Sequence, residues 1–164
     1  MQKQQIKRSP GQESVWDYPR PPRLEPTDKT IEIFFNDVLI VRTSRAWRVL
    51  ETSHPPTYYI PPEDVAMSYL RLGNGRSYCE WKGQARYYTL QVGDKTAENV
   101  AWFYPNPMST FEEIKNYIAF YPAPMDRCTV DGEVVRPQAG GFYGGWITDD
   151  IVGPFKGDPG TTGW

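Results

Sequence analysis

The stretch that decides the fold is Ile31-Glu32-Ile33-Phe34-Phe35-Asn36-Asp37-Val38-Leu39-Ile40-Val41. Runs rich in β-branched and aromatic residues lie on both sides of a central Asn-Asp pair. This pair tolerates the positive φ angles that a two-residue hairpin turn requires. The sequence therefore predicts a β-hairpin over residues 31–41.

Two later segments repeat this pattern. A second hairpin is predicted from residues 86–92 and 95–104 around Gly93-Asp94, and a third from residues 128–130 and 133–135 around Asp131-Gly132. The composition agrees, because 15% aromatic residues, 16 prolines and 14 glycines favour strands and rigid turns over helices. We expect a mainly β, compact antiparallel domain with one or two short helices.

The clearest helix signal lies near residue 110. Residues 109–112 read Ser-Thr-Phe-Glu, which matches a capping box. Apolar residues then recur at helical spacing: Phe111, Ile114, Tyr117 and Ile118. Residues 44–51 favour neither helix nor strand. If they are helical, Arg42, Arg45 and Arg48 would form one basic stripe able to hold a carboxylate or phosphate; in a strand they would only be a solvated face.

The chain divides into three parts by composition. Residues 1–30 hold five prolines and are predicted to form an extended N-terminal arm, residues 31–138 a β domain, and residues 139–164 a C-terminal arm rich in glycine and aromatic rings. Either arm could pair with another subunit. A homo-oligomer formed through the terminal arms is therefore one arrangement that the sequence allows.

The charge and apolar pattern exclude several classes of function. The 164 residues have a formal net charge of −2, without the excess of Lys and Arg that nucleic acid or an anionic membrane would attract. No run approaches the ~20 apolar residues of a membrane span, and the first residues do not resemble a secretory signal. We expect a cytoplasmic protein with Cys79 and Cys128 reduced, and no metal or cofactor, because the two cysteines lack the spacing of a zinc site.

The only histidine lies in a segment bounded by prolines, residues 50–62. His54 has an unperturbed pKa near neutrality, and Glu51 three residues earlier could orient its ring, so the two are candidate catalytic residues for acid–base chemistry. The alternative is a histidine that only anchors the turn by hydrogen bonding.

Two further blocks mix aromatic rings with polar groups: Tyr78-Cys79-Glu80-Trp81-Lys82-Gly83 and Asn99-Val100-Ala101-Trp102-Phe103-Tyr104-Pro105. Lys82 could meet an anionic ligand as a point charge, or it could be a solvated turn lysine. Cys79 could be a nucleophile near Lys82, although Glu80 beside it disfavours the thiolate; a pocket-lining cysteine is the alternative. The candidate ligand-binding residues are Arg48, Tyr58, Tyr78, Cys79, Lys82, Trp102 and Tyr104.

These motifs are expected to meet in space, because turns at one end of an antiparallel sheet come together even when they are far apart in sequence. We therefore expect His54, Lys82 or Cys79, and Trp102 to lie around one concavity.

The ordered series of motifs at residues 51–61, 78–85 and 99–105 resembles the family catalogued as domain of unknown function 427 (DUF427), over about residues 31–121. The resemblance implies a fold related to the β-tent superfamily, many of whose members bind zinc through paired Cys-x-x-Cys motifs that this chain lacks. The chain also differs from the family at Glu80-Trp81, where Pro-Tyr is common. The family implies no settled activity, and residues 135–164 resemble an extension typical of cyanobacterial members.

Three functions remain open from the sequence. The first is a binding protein whose aromatic cleft takes a small polar or anionic molecule. The second is an enzyme that uses Glu51 and His54 as an acid–base pair. The third is a non-catalytic interaction protein that acts through its arms.

Overall fold

The computed structural model describes residues 9–140 and 143–161, which form mainly β-strands. The strands are β1 (Glu13–Ser14), β2 (Arg23–Pro26), β3 (Ile31–Phe35), β4 (Val38–Thr43), β5 (Trp47–Leu50), β6 (Thr57–Tyr59), β7 (Leu70–Cys79), β8 (Gly83–Val92), β9 (Lys95–Phe103), β10 (Ala119–Phe120), β11 (Arg127–Val130), β12 (Glu133–Val134), β13 (Arg136–Pro137), β14 (Trp146–Ile147) and β15 (Ile151–Val152). Short 3₁₀ helices lie at Val15–Asp17, Pro62–Asp64, Met67–Tyr69 and Ser109–Ile114. No helix in the described ranges has the length and apolar character that a membrane crossing requires.

The predicted hairpin at residues 31–41 is confirmed. Strands β3 and β4 pair antiparallel, and the turn residues Asn36 and Asp37 have φ angles of 49° and 62°. The hairpin forms the centre of a four-stranded sheet in the order β12-β11-β3-β4. Ile31, Ile33 and Phe35 alternate inward and are fully buried, which contributes roughly 1.5–3 kcal/mol for each side chain.

The other two predicted hairpins are also confirmed. Strands β11 and β12 pair around Asp131 and Gly132, which have φ angles of 48° and 84°. Strands β8 and β9 pair around Gly93, and β8 begins at Gly83, earlier than the sequence predicts. These two strands form the middle of a second four-stranded antiparallel sheet, β10-β9-β8-β7. A third sheet has the order β2-β5-β6.

The predicted helix near residue 110 is a 3₁₀ helix, and its capping box is not formed. The helix is capped by Met108 without a side-chain hydrogen bond, and Phe111 has φ −119° and ψ 20°, outside helical geometry. The apolar residues Phe111 and Ile114 nevertheless pack inward and are buried. Ile118 exchanges backbone hydrogen bonds with Ile60 at 2.8 and 2.9 Å. This pairing draws the segment into a β-bridge and prevents a longer helix.

The undecided segment, residues 44–51, contains strand β5, so the basic stripe does not form. Each arginine instead contacts its own carboxylate: Arg42 lies 2.9 Å from Glu32, Arg45 3.0 Å from Asp64, and Arg48 3.1 Å from Glu13.

The described parts of both terminal arms pack on the β domain and on each other. Strand β1 of the N-terminal arm pairs in parallel with β15 of the C-terminal arm. Val15, Tyr18 and Ile151 form a small apolar cluster with Leu50. Trp146 is fully buried, and its Nε1 donates a hydrogen bond to the Phe120 carbonyl at 3.1 Å. The arms therefore complete the core of their own chain.

Candidate functional site

A cavity of about 520 Å³ lies against the β7-β8-β9 sheet and is lined by all three sequence motifs. The predicted site residues that line it are Glu51, His54, Tyr78, Cys79, Lys82, Trp102 and Tyr104. The other residues of its wall are Thr57, Tyr59, Ser77, Glu80, Trp81, Tyr87, Tyr121, Gln138, Tyr143 and Gly144. His54, Lys82, Cys79 and Trp102 therefore share one concavity.

The alternation of side chains along strands explains most of the strand residues that face the cavity. Tyr78 is the exception, since it also contacts the cavity while 71% of its surface is exposed. Successive residues of a strand point to opposite sides of the sheet. Ser77 and Cys79 of β7, Tyr87 of β8 and Trp102 of β9 all line the cavity. Their neighbours Tyr88, Ala101 and Phe103 belong to the main apolar core on the other face. The sheet thus separates the core from the cavity.

The turn between β7 and β8 places Lys82 in the cavity wall. The backbone carbonyl of Lys82 accepts a hydrogen bond from Met108 at 3.0 Å, which ties the turn to the segment after β9. Gly83 follows with φ 110°, a conformation that side-chain-bearing residues rarely adopt, and a Cβ there would lie 3.3 Å from the Asn106 carbonyl oxygen. A glycine at this position therefore allows the lysine to be held inward.

Lys82 is a buried cation, with 8% of its surface exposed. In the described part of the chain no carboxylate oxygen lies within 4.0 Å of its Nζ; its neighbours are the Cys79 thiol and the rings of Tyr104 and Phe111, whose centroids lie at 5.9 and 5.8 Å. Burial lowers the pKa of Lys82, but Tyr59, Cys79 and Glu51 outweigh burial and hold that pKa above its ordinary value. The ammonium is therefore charged at neutral pH.

Two tyrosines adjoin Lys82, namely Tyr59 and Tyr104. Trp102 Nε1 donates a hydrogen bond to the Tyr59 hydroxyl at 3.1 Å, and the Tyr104 hydroxyl interacts with the same oxygen. Burial, above all, raises the pKa of both tyrosines, so both keep their protons. Each of these two groups keeps an O–H that can donate a hydrogen bond. This end of the cavity is rich in donors.

The middle of the cavity is a cluster of rings around Trp102. The Tyr121 ring lies 4.6 Å from the Trp102 ring between centroids, and the Tyr87 ring lies 6.5 Å away. The Tyr87 hydroxyl is 2.9 Å from Ser77 Oγ. On the opposite side Gly144 lies so close to the Trp102 indole that a Cβ at residue 144 would overlap it. The C-terminal arm therefore forms one wall of the cavity.

His54 lies in the cavity wall as a neutral ring. Its Nδ1 is 3.0 Å from the Thr52 carbonyl oxygen. Because a carbonyl can only accept, Nδ1 carries the hydrogen, and Nε2 is left as an acceptor. Burial lowers the pKa of His54, and Glu51 offsets burial only in part. Glu51 Oε2 is 4.0 Å from Nδ1, too far for a hydrogen bond, and 3.6 Å from Arg20. Thr52, not Glu51, therefore orients the ring.

Two predicted ligand-binding residues lie outside the cavity. Arg48 points to the N-terminal arm, where it donates hydrogen bonds to Glu13 at 3.1 Å and to Glu25. Tyr58 packs on Trp146 with ring centroids 5.1 Å apart, and burial raises its pKa to about 12. In strand β6 the residue that faces the cavity is Tyr59.

Six of the ten described cavity residues outside the predicted set fall into two groups. Tyr59, Tyr87 and Tyr121 belong to aromatic pairs or motifs in which only the strand register decides the face. Gln138, Tyr143 and Gly144 come from the segment around the start of the C-terminal arm, whose mixture of glycine and rings was the one available signal. No group of three or more His, Cys, Asp or Glu side chains in the described ranges could hold a metal ion.

A family model described as "Domain of unknown function (DUF427)" matches residues 23–131, which include all three motifs and strands β2 to β11. The cavity residues Gln138, Tyr143 and Gly144 lie outside the matched range. None of the curated proteins that were compared matches the chain.

Proposed function

The chain belongs to the family described as a domain of unknown function, DUF427, and we propose that the aromatic cavity of this member binds a small anionic molecule with a flat apolar part. The anion would lie at Lys82, and the apolar part among the rings around Trp102.

The observation that carries this proposal is the burial of Lys82 without a carboxylate. Lysine is almost never fully buried unless it is paired, because removing a charge from water costs several kcal/mol. An anionic ligand would supply the missing partner. The adjoining phenolic O–H would donate a second hydrogen bond to the same anion.

The walls of the cavity suit an apolar ligand body. Ligand sites are typically cavities of about 300–1,000 Å³ that are mostly apolar with a few orienting polar groups. The volume here is about 520 Å³, and the rings of Trp102, Tyr87 and Tyr121 cover its middle. Flat rings on the wall favour stacking with a flat ligand.

A matched pair of probes tests the proposal by thermal shift. Benzoate and benzamide have the same ring and nearly the same shape, but only benzoate is an anion. Benzoate is expected to raise the melting temperature of the wild-type protein more than benzamide, because a ligand that binds only the folded state stabilises it. The preference is expected to vanish in Lys82→Met and to persist in Lys95→Met, which removes an exposed lysine.

Two results would argue against an anion site at Lys82. One is that benzoate and benzamide shift the melting temperature equally, and that other aromatic acids and their amides do the same. The other is a preference for acids that Lys82→Met leaves intact.

A second candidate function, acid–base catalysis, is favoured by the state of His54. A neutral imidazole with Nδ1–H fixed on Thr52 presents Nε2 as a base in the wall of the same cavity. Any ligand found in the screen can be incubated with the protein and followed by NMR. Catalysis would be supported if the wild type converts the ligand and His54→Gln does not, although the ligand still raises the melting temperature of that variant. If the ligand is recovered unaltered from the wild type, only the binding function remains.

A further inference from the structure

Cys79 lies beside Lys82 at the donor-rich end of the cavity. It is the last residue of β7, and Lys82 belongs to the turn that follows, so chain connectivity keeps the two side chains close. Both line the cavity, and the thiol is the polar neighbour of the buried ammonium. Cys79 is partly exposed, whereas the other cysteine, Cys128, has 1% of its surface exposed in the core.

An independent feature of this end of the cavity indicates an anion next to the thiol. The buried ammonium of Lys82 has no carboxylate within 4.0 Å among the described residues, and the hydroxyls of Tyr59 and Tyr104 lie next to it. A buried ammonium without a carboxylate favours an anionic partner. A carboxylate bound here would lie within reach of Cys79.

The two carboxylates of the cavity wall, Glu51 and Glu80, form no ion pair with Lys82. Glu51 raises the pKa of Lys82 only from beyond 4.0 Å, and its Oε2 lies 3.6 Å from Arg20. Glu80 follows Cys79 directly, but its side chain is exposed, where water and salt screen its charge.

We propose that Cys79 is a covalent capture site for small electrophiles that carry a carboxylate, with Lys82 holding the carboxylate beside the thiol. The inference rests on the anion-binding function proposed above and adds a bond-forming step. Recruitment by Lys82 raises the local concentration of the electrophile, and the thiolate is the attacking form of Cys79.

The step balances for an α,β-unsaturated carboxylate. The sulfur of Cys79 forms a bond to the β carbon, and the π electron pair of the C=C bond moves to the α carbon. The proton lost by the thiol ends on that α carbon, with water as the carrier. Lys82 and the phenolic O–H stabilise the negative charge that spreads onto the carboxylate. Thiol and electrophile are the only reactants.

Two alkylating reagents test the proposal, because iodoacetate carries a carboxylate and iodoacetamide is its neutral analogue. With either reagent the sulfur displaces iodide. Intact-protein and peptide mass spectrometry gives the labelling rate of Cys79 with each reagent at fixed pH and ionic strength. The ratio of the two rates is the readout, since any change in thiol ionisation affects both reagents alike and cancels. Cys128 is the internal control for a folded protein and should stay unlabelled.

The iodoacetate-to-iodoacetamide ratio is expected to be about tenfold higher in the wild type than in Lys82→Met, the factor that corresponds to one lost charge-assisted hydrogen bond. Lys95→Met should keep the wild-type ratio. Benzoate should slow labelling of wild-type Cys79 by iodoacetate more than benzamide does, which tests the same site without a substitution.

A ratio that is equal in the wild type and Lys82→Met would overturn the capture site. If benzoate still stabilises the wild type through Lys82 in the thermal-shift experiment, anion binding stands and only the covalent step is lost. If both measurements are independent of Lys82, both proposals are lost.

Discussion

Arg48 and Lys82 are both buried basic side chains, with 5% and 8% of their surface exposed, and the two regions around them differ in one respect. Arg48 donates hydrogen bonds to Glu13 and Glu25, so its charge is balanced within the chain. Lys82 faces a cavity and has no carboxylate within 4.0 Å among the described residues. Arg48 thus joins the N-terminal arm to strand β5. The charge of Lys82 can be balanced by an anion that does not belong to the chain.

The largest loss of stability is expected at Arg48, whose charge is balanced by Glu13 and Glu25. Arg48→Met would leave two carboxylates facing an apolar side chain and should lower the free energy of unfolding by about 2–3 kcal/mol. The loss stays below the figure for a fully buried pair because Glu13 and Glu25 keep 42% and 40% of their side-chain surface exposed. Urea denaturation measures it. Arg45→Met is the control, since its pair with Asp64 is exposed and should cost at most about 1 kcal/mol.

Arg48→Met should also change how the free energy of unfolding falls at acid pH. Burial works against ionisation of Glu13, yet its hydrogen bonds from Arg48 and Tyr18 outweigh burial and hold its pKa below the ordinary value. A lowered carboxyl pKa stabilises the fold above the unfolded-state pKa and loses that contribution as the pH falls through the folded-state pKa. The wild type should lose more stability than the variant below about pH 4.5. Parallel losses in both proteins would show that Arg48 does not act through Glu13.

A smaller effect is expected at the wall of the cavity. Gly144→Ala would place a methyl group into the Trp102 ring and must move either the C-terminal arm or the indole. Overpacking of this kind costs about 1–3 kcal/mol. Tryptophan fluorescence and benzoate binding should both change, because Trp102 lines the cavity. A variant with wild-type fluorescence and unchanged affinity would show that the arm does not form the wall.

The smallest effect concerns His54. Its folded-state pKa is lowered by burial, so the unfolded chain binds the proton more readily than the folded one. Stability should therefore fall as the pH drops from about 6.5 toward the folded-state pKa, since protonation favours unfolding. His54→Gln should lack this slope below about pH 6.5. Melting temperatures at several pH values measure it; equal slopes in both proteins would mean that His54 titrates normally.

The hairpins could be predicted because their information is local. The Asn36-Asp37 turn adopts positive φ angles through its own chemistry, whatever the rest of the chain does. The cavity motifs were also predictable, since turns and strands of one sheet bring rings and polar groups together.

What could not be predicted depends on partners far away in sequence. Glu13 is 35 residues from Arg48, and nothing near either residue indicates their contact. Tyr58 and Tyr59 are equivalent in sequence, and only the register of β6 with β5 decides which faces the cavity. The helical pattern after residue 109 is real, but the bridge between Ile60 and Ile118 outweighs it.

The most direct test of the account is the melting temperature of Lys82→Met without ligand, measured beside Arg48→Met. Methionine fills a similar volume and its introduction breaks no ion pair with a carboxylate, so this variant should melt within about 2 °C of the wild type. Arg48→Met, which leaves Glu13 and Glu25 without their partner, should melt clearly lower. If Lys82→Met melts well below the wild type, as Arg48→Met should, then Lys82 is balanced within the fold, and the claim that its charge awaits an anionic ligand is wrong.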